Sequence, residues 1–137
     1  MGDFDHFQTG CVIRYTYLWA REAAAGETEG RKPRPTVVGI RLKRSSGDAL
    51  ILLPITSRAP QAGATAVEIP DTEKRRAGLS TDIRLWIVLD EFNHDIPGQS
   101  WYLEPDSALG SLSRAFLLPV MKQFVAMLGE KRQVNRL

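Results

Sequence analysis

The stretch from Gly30 to Ser57, GRKPRPTVVGIRLKRSSGDALILLPITS, constrains the fold most. It holds two apolar runs, Thr36 to Leu42 and Ala49 to Ser57, and each reads as a buried strand. Between them, Lys43-Arg44-Ser45-Ser46-Gly47-Asp48 has the Ser, Gly and Asp content of a hairpin loop. In an antiparallel hairpin the start of one strand lies beside the end of the next. Arg31, Lys32 and Arg34 precede the first strand, and Thr56 and Ser57 end the second. The pattern therefore predicts cations and hydroxyls together at one edge of one sheet.

The 137 residues predict a single domain over 1–137, with an adequate core. No apolar run approaches the roughly 18 residues of a membrane span. The opening MGDFDHFQTG is acidic and lacks the basic and apolar regions of a secretion signal. The lone Cys11 has no internal disulfide partner. Together these predict a cytoplasmic protein with no membrane partner. The net charge of +2 is too small to declare nucleic-acid binding, but it is unevenly placed. Residues 1–47 carry eight Lys/Arg against five Asp/Glu, and residues 48–137 carry ten against eleven. The basic clusters Arg31-Lys32-Pro33-Arg34 and Arg41-Leu42-Lys43-Arg44 suit phosphate binding or a solvated hairpin edge.

Along the chain, residues 1–9 read as a loose lead-in. Cys11 to Trp19 reads as a strand whose more apolar face is Cys11, Ile13, Tyr15, Tyr17 and Trp19. Ala20 to Lys32 reads as a loop with one helical turn at Arg21 to Ala25. Ala66 to Pro70 reads as a short strand, and Asp71 to Ala77 as a helical turn with acids first and bases last. Arg84 to Phe92 reads as one strand buried on both faces. Asn93 to Gln99 reads as a turn, and Ser100 to Leu103 as a short strand. Ser113 is placed to cap a closing helix within 113–129, with Phe116, Val120, Phe124 and Leu128 on one face; at Pro119 either the helix bends or its regular part begins near Leu118. The sum is mainly β, a curved antiparallel sheet or partly open barrel capped by a C-terminal helix.

Two histidines and one cysteine make no metal-ligand set, and no Gly-rich nucleotide loop or Gly-x-Ser-x-Gly elbow is present. No cofactor or metal is expected. What remains is Arg34 with Thr56 and Ser57. A guanidinium binds phosphate in bidentate fashion and stabilises charge developing on it. That chemistry suits RNA cleavage in which the substrate's own 2′-hydroxyl is the nucleophile. It equally suits an exposed Arg at a strand start.

The same residues resemble the MazF/PemK (Kid) family of toxins from toxin–antitoxin modules. Gly10-Cys11-Val12-Ile13 is similar to the family's opening G-D-V/I-V strand. Lys32-Pro33-Arg34-Pro35-Thr36-Val37-Val38 resembles R-R/K-P-A-V-V, and Leu53-Pro54-Ile55-Thr56-Ser57 resembles V-P-I-T-S. Val67-Glu68-Ile69 with Ala77-Gly78-Leu79 is similar to the short strand and its G-L sequel. Leu109-Gly110-Ser111-Leu112-Ser113 resembles I-G-x-L-S before the last helix. The resemblance implies an SH3-like barrel of the plasmid-maintenance toxin type and a homodimer. It also implies metal-independent, sequence-specific cleavage of single-stranded RNA, with a cognate antitoxin as partner. By motif, Arg34 and Thr56 are the catalytic positions, with Ser57, Arg31, Lys32 and Arg58 as substrate-binding residues. The family pattern is broken at Cys11 and at Asp90-Glu91-Phe92-Asn93-His94-Asp95, where an expected basic residue is missing. That break leaves a non-catalytic protein- or nucleic-acid-binding module on the same barrel as the alternative. A gyrase inhibitor follows from fold analogy alone.

Overall fold

A computed structural model describes residues 2–27, 32–100, 102–128 and 132–136. The elements in chain order are β1 (Cys11–Tyr15), α1 (Ala20–Ala24), β2 (Arg34–Leu42), β3 (Ala49–Thr56), β4 (Ala66–Glu68), α2 (Asp71–Arg76), β5 (Trp86–Val88), β6 (Glu91–Asp95), β7 (Ala108–Ser111), α3 (Arg114–Ala126) and β8 (Arg132–Asn135). The fold is mainly β with a C-terminal helix, as expected. Among the described residues the strands form one open sheet and do not close into a barrel.

The predicted hairpin is its centre. β2 pairs antiparallel with β3, Thr36 facing Pro54 and Val38 facing Leu52. The register shifts between Val38 and Ile40, a bulge at Gly39. β2 continues to β1 and then to β7, both antiparallel. On its other side β3 has two partners. Its first half pairs with β6 and its last two residues with β5, and β5 pairs in turn with β4. β8 runs parallel to β6.

Alternation along β3 fills two cores. Ile51, Leu53 and Ile55 join Val12, Val37 and the α3 residues Leu117, Val120, Met121 and Phe124 on one face. Leu50 and Leu52 join Ile13, Tyr15, Tyr17, Trp19 and Phe7 on the other. The predicted apolar face of β1 is thus buried, and Val12 on its opposite face is buried as well. Both faces of the central sheet are covered, which accounts for the near-continuous apolar run of β3.

Several expectations need correction. Residues 1–9 are not a loose lead-in throughout. Phe7 is fully buried, and Arg41 clamps the segment by donating from Nη1 to the carbonyls of Phe4 (2.7 Å) and Phe7 (3.1 Å). Arg84 to Phe92 is not one strand, because it breaks at Leu89-Asp90. There the Asp90 carboxylate accepts from Thr65 N (2.7 Å), and the chain changes partners along β3. Asn93 to Asp95 belongs to β6 and not to a turn. No strand forms over the described residues 100, 102 and 103, whereas β7 and β8 were not anticipated. Lys74, one of the bases that end the predicted turn at Asp71 to Ala77, is buried; its Nζ donates to the Ile83 carbonyl (2.7 Å) and pairs with Asp71 (2.9 Å).

The close approach of α2 to β7 requires glycine. Gly78 ends the α2 turn with φ +73°, and a Cβ there would collide with the Leu109 carbonyl. α3 starts as predicted, with Ser113 Oγ accepting from Phe116 N (3.2 Å). Glu73 of α2 adds a second restraint, its carboxylate accepting from Ser113 N and Ser113 Oγ, both at 2.7 Å. A carboxylate at this end also complements the helix dipole. Pro119 lies inside α3 on its exposed side, where the helix continues through it.

Ser113→Ala removes both the cap and one Glu73 bond. It is expected to cost roughly 1–2 kcal/mol. Calorimetry should show Tm lowered by roughly 3–8 °C.

Candidate functional site

The β2–β3 register places the predicted pair. From Thr36 opposite Pro54, two more residues along each strand bring Arg34 level with Thr56. On its other edge Arg34 pairs with Tyr15 of β1, while Thr56 pairs with Trp86 of β5. Both residues line one groove of ≈ 650 Å³, together with Lys32, Ser57 and Arg58. Arg31 lies outside the described residues. Trp19, Arg21 and Asp90 also line this groove, and the sequence did not mark them as site residues.

Arg34 is half-buried, and its guanidinium carbon lies 5.2 Å from the Trp19 ring centroid. Arg21 approaches the same ring at 4.9 Å. An indole attracts cations through its quadrupole, so Trp19 gathers two positive charges at one wall. Burial lowers the Arg34 pKa; nearby Glu22 opposes the shift, and Arg21 and Arg58 reinforce it. The guanidinium nevertheless stays charged, given its very high intrinsic basicity. Arg34 Nε and Trp19 Nε1 are buried without a hydrogen-bond partner among the described residues. Among those residues no carboxylate lies within ion-pair distance of Lys32, Arg34 or Arg58. An under-solvated cation with unused donors gains most from an acceptor-rich anion.

Thr56 Oγ1 accepts from Arg58 N at 3.1 Å, which fixes the turn after β3 and leaves the hydroxyl proton free to donate. Ser57 and Arg58 are exposed. Among the described residues Asp90 is the carboxylate that lines this groove, its Oδ2 held by Thr65 N.

The wall carrying Trp19 is held from behind. Asn93 bonds Leu18 in both directions, Nδ2 donating to the carbonyl (2.8 Å) and Oδ1 accepting from the amide (3.0 Å). Glu91 Oε1 accepts from Ala20 N (2.8 Å) and from the Tyr17 hydroxyl (3.1 Å). Arg136 Nη1 donates to Asn93 Oδ1 (3.2 Å), to the Thr16 carbonyl (2.7 Å) and to the Tyr15 hydroxyl (3.3 Å). Its guanidinium also sits 3.8 Å from the Tyr102 ring centroid. Tyr15 in turn donates to Asp95 Oδ2 (2.8 Å). Burial raises the pKa of both tyrosines, which keeps them protonated as donors. The segment Glu91–Asp95, which departs from the family pattern, therefore frames the site loop and gives the groove no cation of its own. The signal available for Trp19 was its position at a strand end beside Arg21. The pairings of Asn93 and Arg136 have no local signal.

Among the described residues, no three His, Cys, Asp or Glu are grouped to hold a metal ion. No helix among them is long and apolar enough to cross a membrane. No family model matches the chain, and comparison with curated proteins and with solved structures returns no match.

Asn93→Leu is close to isosteric but leaves the Leu18 amide and carbonyl unpaired in the interior. It is expected to cost roughly 2–4 kcal/mol. The urea midpoint should fall at unchanged m-value.

Proposed function

We propose that the chain is a metal-independent endoribonuclease toxin of a toxin–antitoxin module, on a sheet related to the SH3-like barrel of MazF/PemK toxins. The observation that carries this reading is the meeting of Arg34 and Thr56 in one groove with Lys32, Ser57 and Arg58. In this reading a phosphate of single-stranded RNA lies against the Arg34 guanidinium and the Thr56 hydroxyl. The 2′-oxygen bonds to phosphorus as the P–O5′ bond breaks, leaving a 2′,3′-cyclic phosphate. The net proton movement is from the 2′-hydroxyl to the departing 5′-oxygen. Arg34 stabilises the charge that grows on the non-bridging oxygens, and Thr56 holds one of them. Lys32, Ser57 and Arg58 bind the flanking backbone, with Arg31 as a further candidate. The reading carries with it a homodimer and a cognate antitoxin, whose binding would compete with RNA at the Ala20–Lys32 loop.

One observation favours a second reading, a non-catalytic binding module on the same sheet. The β6 segment supplies buried Phe92, Asn93 and Asp95 where a groove cation is expected. That would leave a groove that binds a protein or nucleic-acid partner without cutting it.

Purified protein in EDTA is expected to cleave mixed-sequence single-stranded RNA. Arg34→Ala should lower kcat/KM by roughly 100-fold or more. Thr56→Ala should lower it by roughly ten- to a hundredfold. Cleavage untouched by Arg34→Ala would sink the assignment, and binding without cleavage would select the second reading. Induced expression should arrest growth with the wild type and not with Arg34→Ala.

A further inference from the structure

A second, smaller pocket of ≈ 310 Å³ lies against the same pair of strand ends. Lys32, Arg34 and Ser57 line both cavities, so these residues form the ridge between them. The second pocket differs in chemistry. Pro33 and Pro35 stand on the β2 side, and Leu79 and Ile83 on the connection from α2 to β5. Ile83 is 51 % exposed, a large aliphatic side chain left in solvent.

The backbone under Ile83 is fixed by an unusual contact. Lys74, 3 % exposed, donates from Nζ to the Ile83 carbonyl at 2.7 Å. A lysine is rarely buried unless its charge is paired, and here Asp71 pairs with it. A buried ion thus rigidifies the loop whose apolar side chain faces outward. Side chains presented on a held backbone lose little entropy when a ligand covers them.

We propose that this pocket holds the nucleobase of the nucleotide adjoining the phosphate bound at Arg34. The proposal rests on the reading of the larger groove as an RNA site. In a single strand each base is one sugar away from its phosphate. A phosphate on the ridge therefore brings a flanking base to the pocket mouth. The volume lies at the small end of ligand sites, which fits one ring system. Proline rings and an aliphatic chain offer flat apolar contact to the base faces. Ser57 and Ser80 also line the pocket, where a hydroxyl could bond the polar edge of the base. An apolar peptide side chain would fill the pocket but leave the ridge cations without an anion. A nucleotide satisfies both at once.

The test is fluorescence anisotropy with a labelled single-stranded oligonucleotide carrying 2′-O-methyl riboses, which has no nucleophile and is not cut. The comparison ligand is the same backbone with abasic positions throughout. The wild type is expected to bind the base-bearing strand at least tenfold more tightly. Ile83→Ala should reduce that preference by roughly five- to tenfold while leaving the abasic affinity unchanged. Ile83→Trp, which fills the pocket, should reduce it likewise. Equal wild-type affinity for both strands overturns the pocket and leaves the anion groove standing. Preference unchanged in both variants overturns it too. Binding of neither strand by the wild type overturns the RNA reading and the pocket together.

Discussion

The pairing of β2 with β3 is the constraint on which the other elements depend. Both faces of this hairpin are buried, so its register is fixed twice. Val37, Leu53 and Ile55 must meet α3, while Val38, Leu50 and Leu52 must meet the aromatic layer of Phe7, Tyr15 and Tyr17. A slip of one residue would exchange the two sets and leave each core filled by the wrong shapes. The bulge at Gly39 belongs to the same constraint. A Cβ there would stand 2.9 Å from Met121 Cε, so the flexible Met121 side chain fills the space that a residue other than glycine would take. With the register held from both sides, Arg34 and Thr56 come level without any interaction between their own side chains.

The charged residues divide into those that hold the structure and those that line the groove. Arg41 ties down the N-terminal segment, Lys74 the Ile83 loop, Glu73 the start of α3 and Arg136 the loop before Trp19. Arg84 is bound in bidentate fashion to Glu68 at 2.8 Å on the surface. Lys32, Arg34 and Arg58 take no such part among the described residues. The net charge of +2 conceals this division, because it counts all of these groups alike. A cation satisfied by carbonyls and a carboxylate, as Arg41 and Lys74 are, contributes little field to a groove. A half-buried guanidinium with an unused Nε contributes a great deal, since its surroundings screen it poorly.

The hairpin, its loop and its charged edge were legible because their signals are local: apolar runs, a Ser-Gly-Asp turn and a helix cap at Ser113. The break at Asp90 was not, because the apolar run Leu85 to Leu89 reads as the middle of one strand to Phe92 whichever partner it has. Asn93 to Asp95 of β6 were read as a turn for a similar reason. Asn93 and Asp95 look solvated until the partners that bury them, Leu18 and Tyr15, arrive from more than 70 residues away. β7 and β8 are four residues each and poor in β-branched side chains, so local preference says almost nothing about them. In the site, Arg34 and Thr56 were legible by strand position. Trp19 was legible only as part of an apolar strand face, and it is both core and wall.

The flanks of Arg34 bear on what the site does. Pro33 and Pro35 fix φ on either side of it, and the residue before each proline is held to extended backbone. Such a segment has few conformations to lose when it folds. Pro35 lacks an amide donor, and the register sets it opposite Arg14 near the end of β1, where fewer ladder bonds are at stake. The guanidinium therefore extends from backbone set in place during folding, against an indole anchored through Asn93 and Glu91. Its buried Nε has no hydrogen-bond partner among the described residues, so an incoming oxyanion would meet the terminal nitrogens of the guanidinium. Stabilisation of developing charge is most effective when the donors need no reorganisation at the moment of reaction. The Pro-Arg-Pro sequence and the polar frame behind Trp19 thus act on one quantity, the reorganisation left for the ligand to drive.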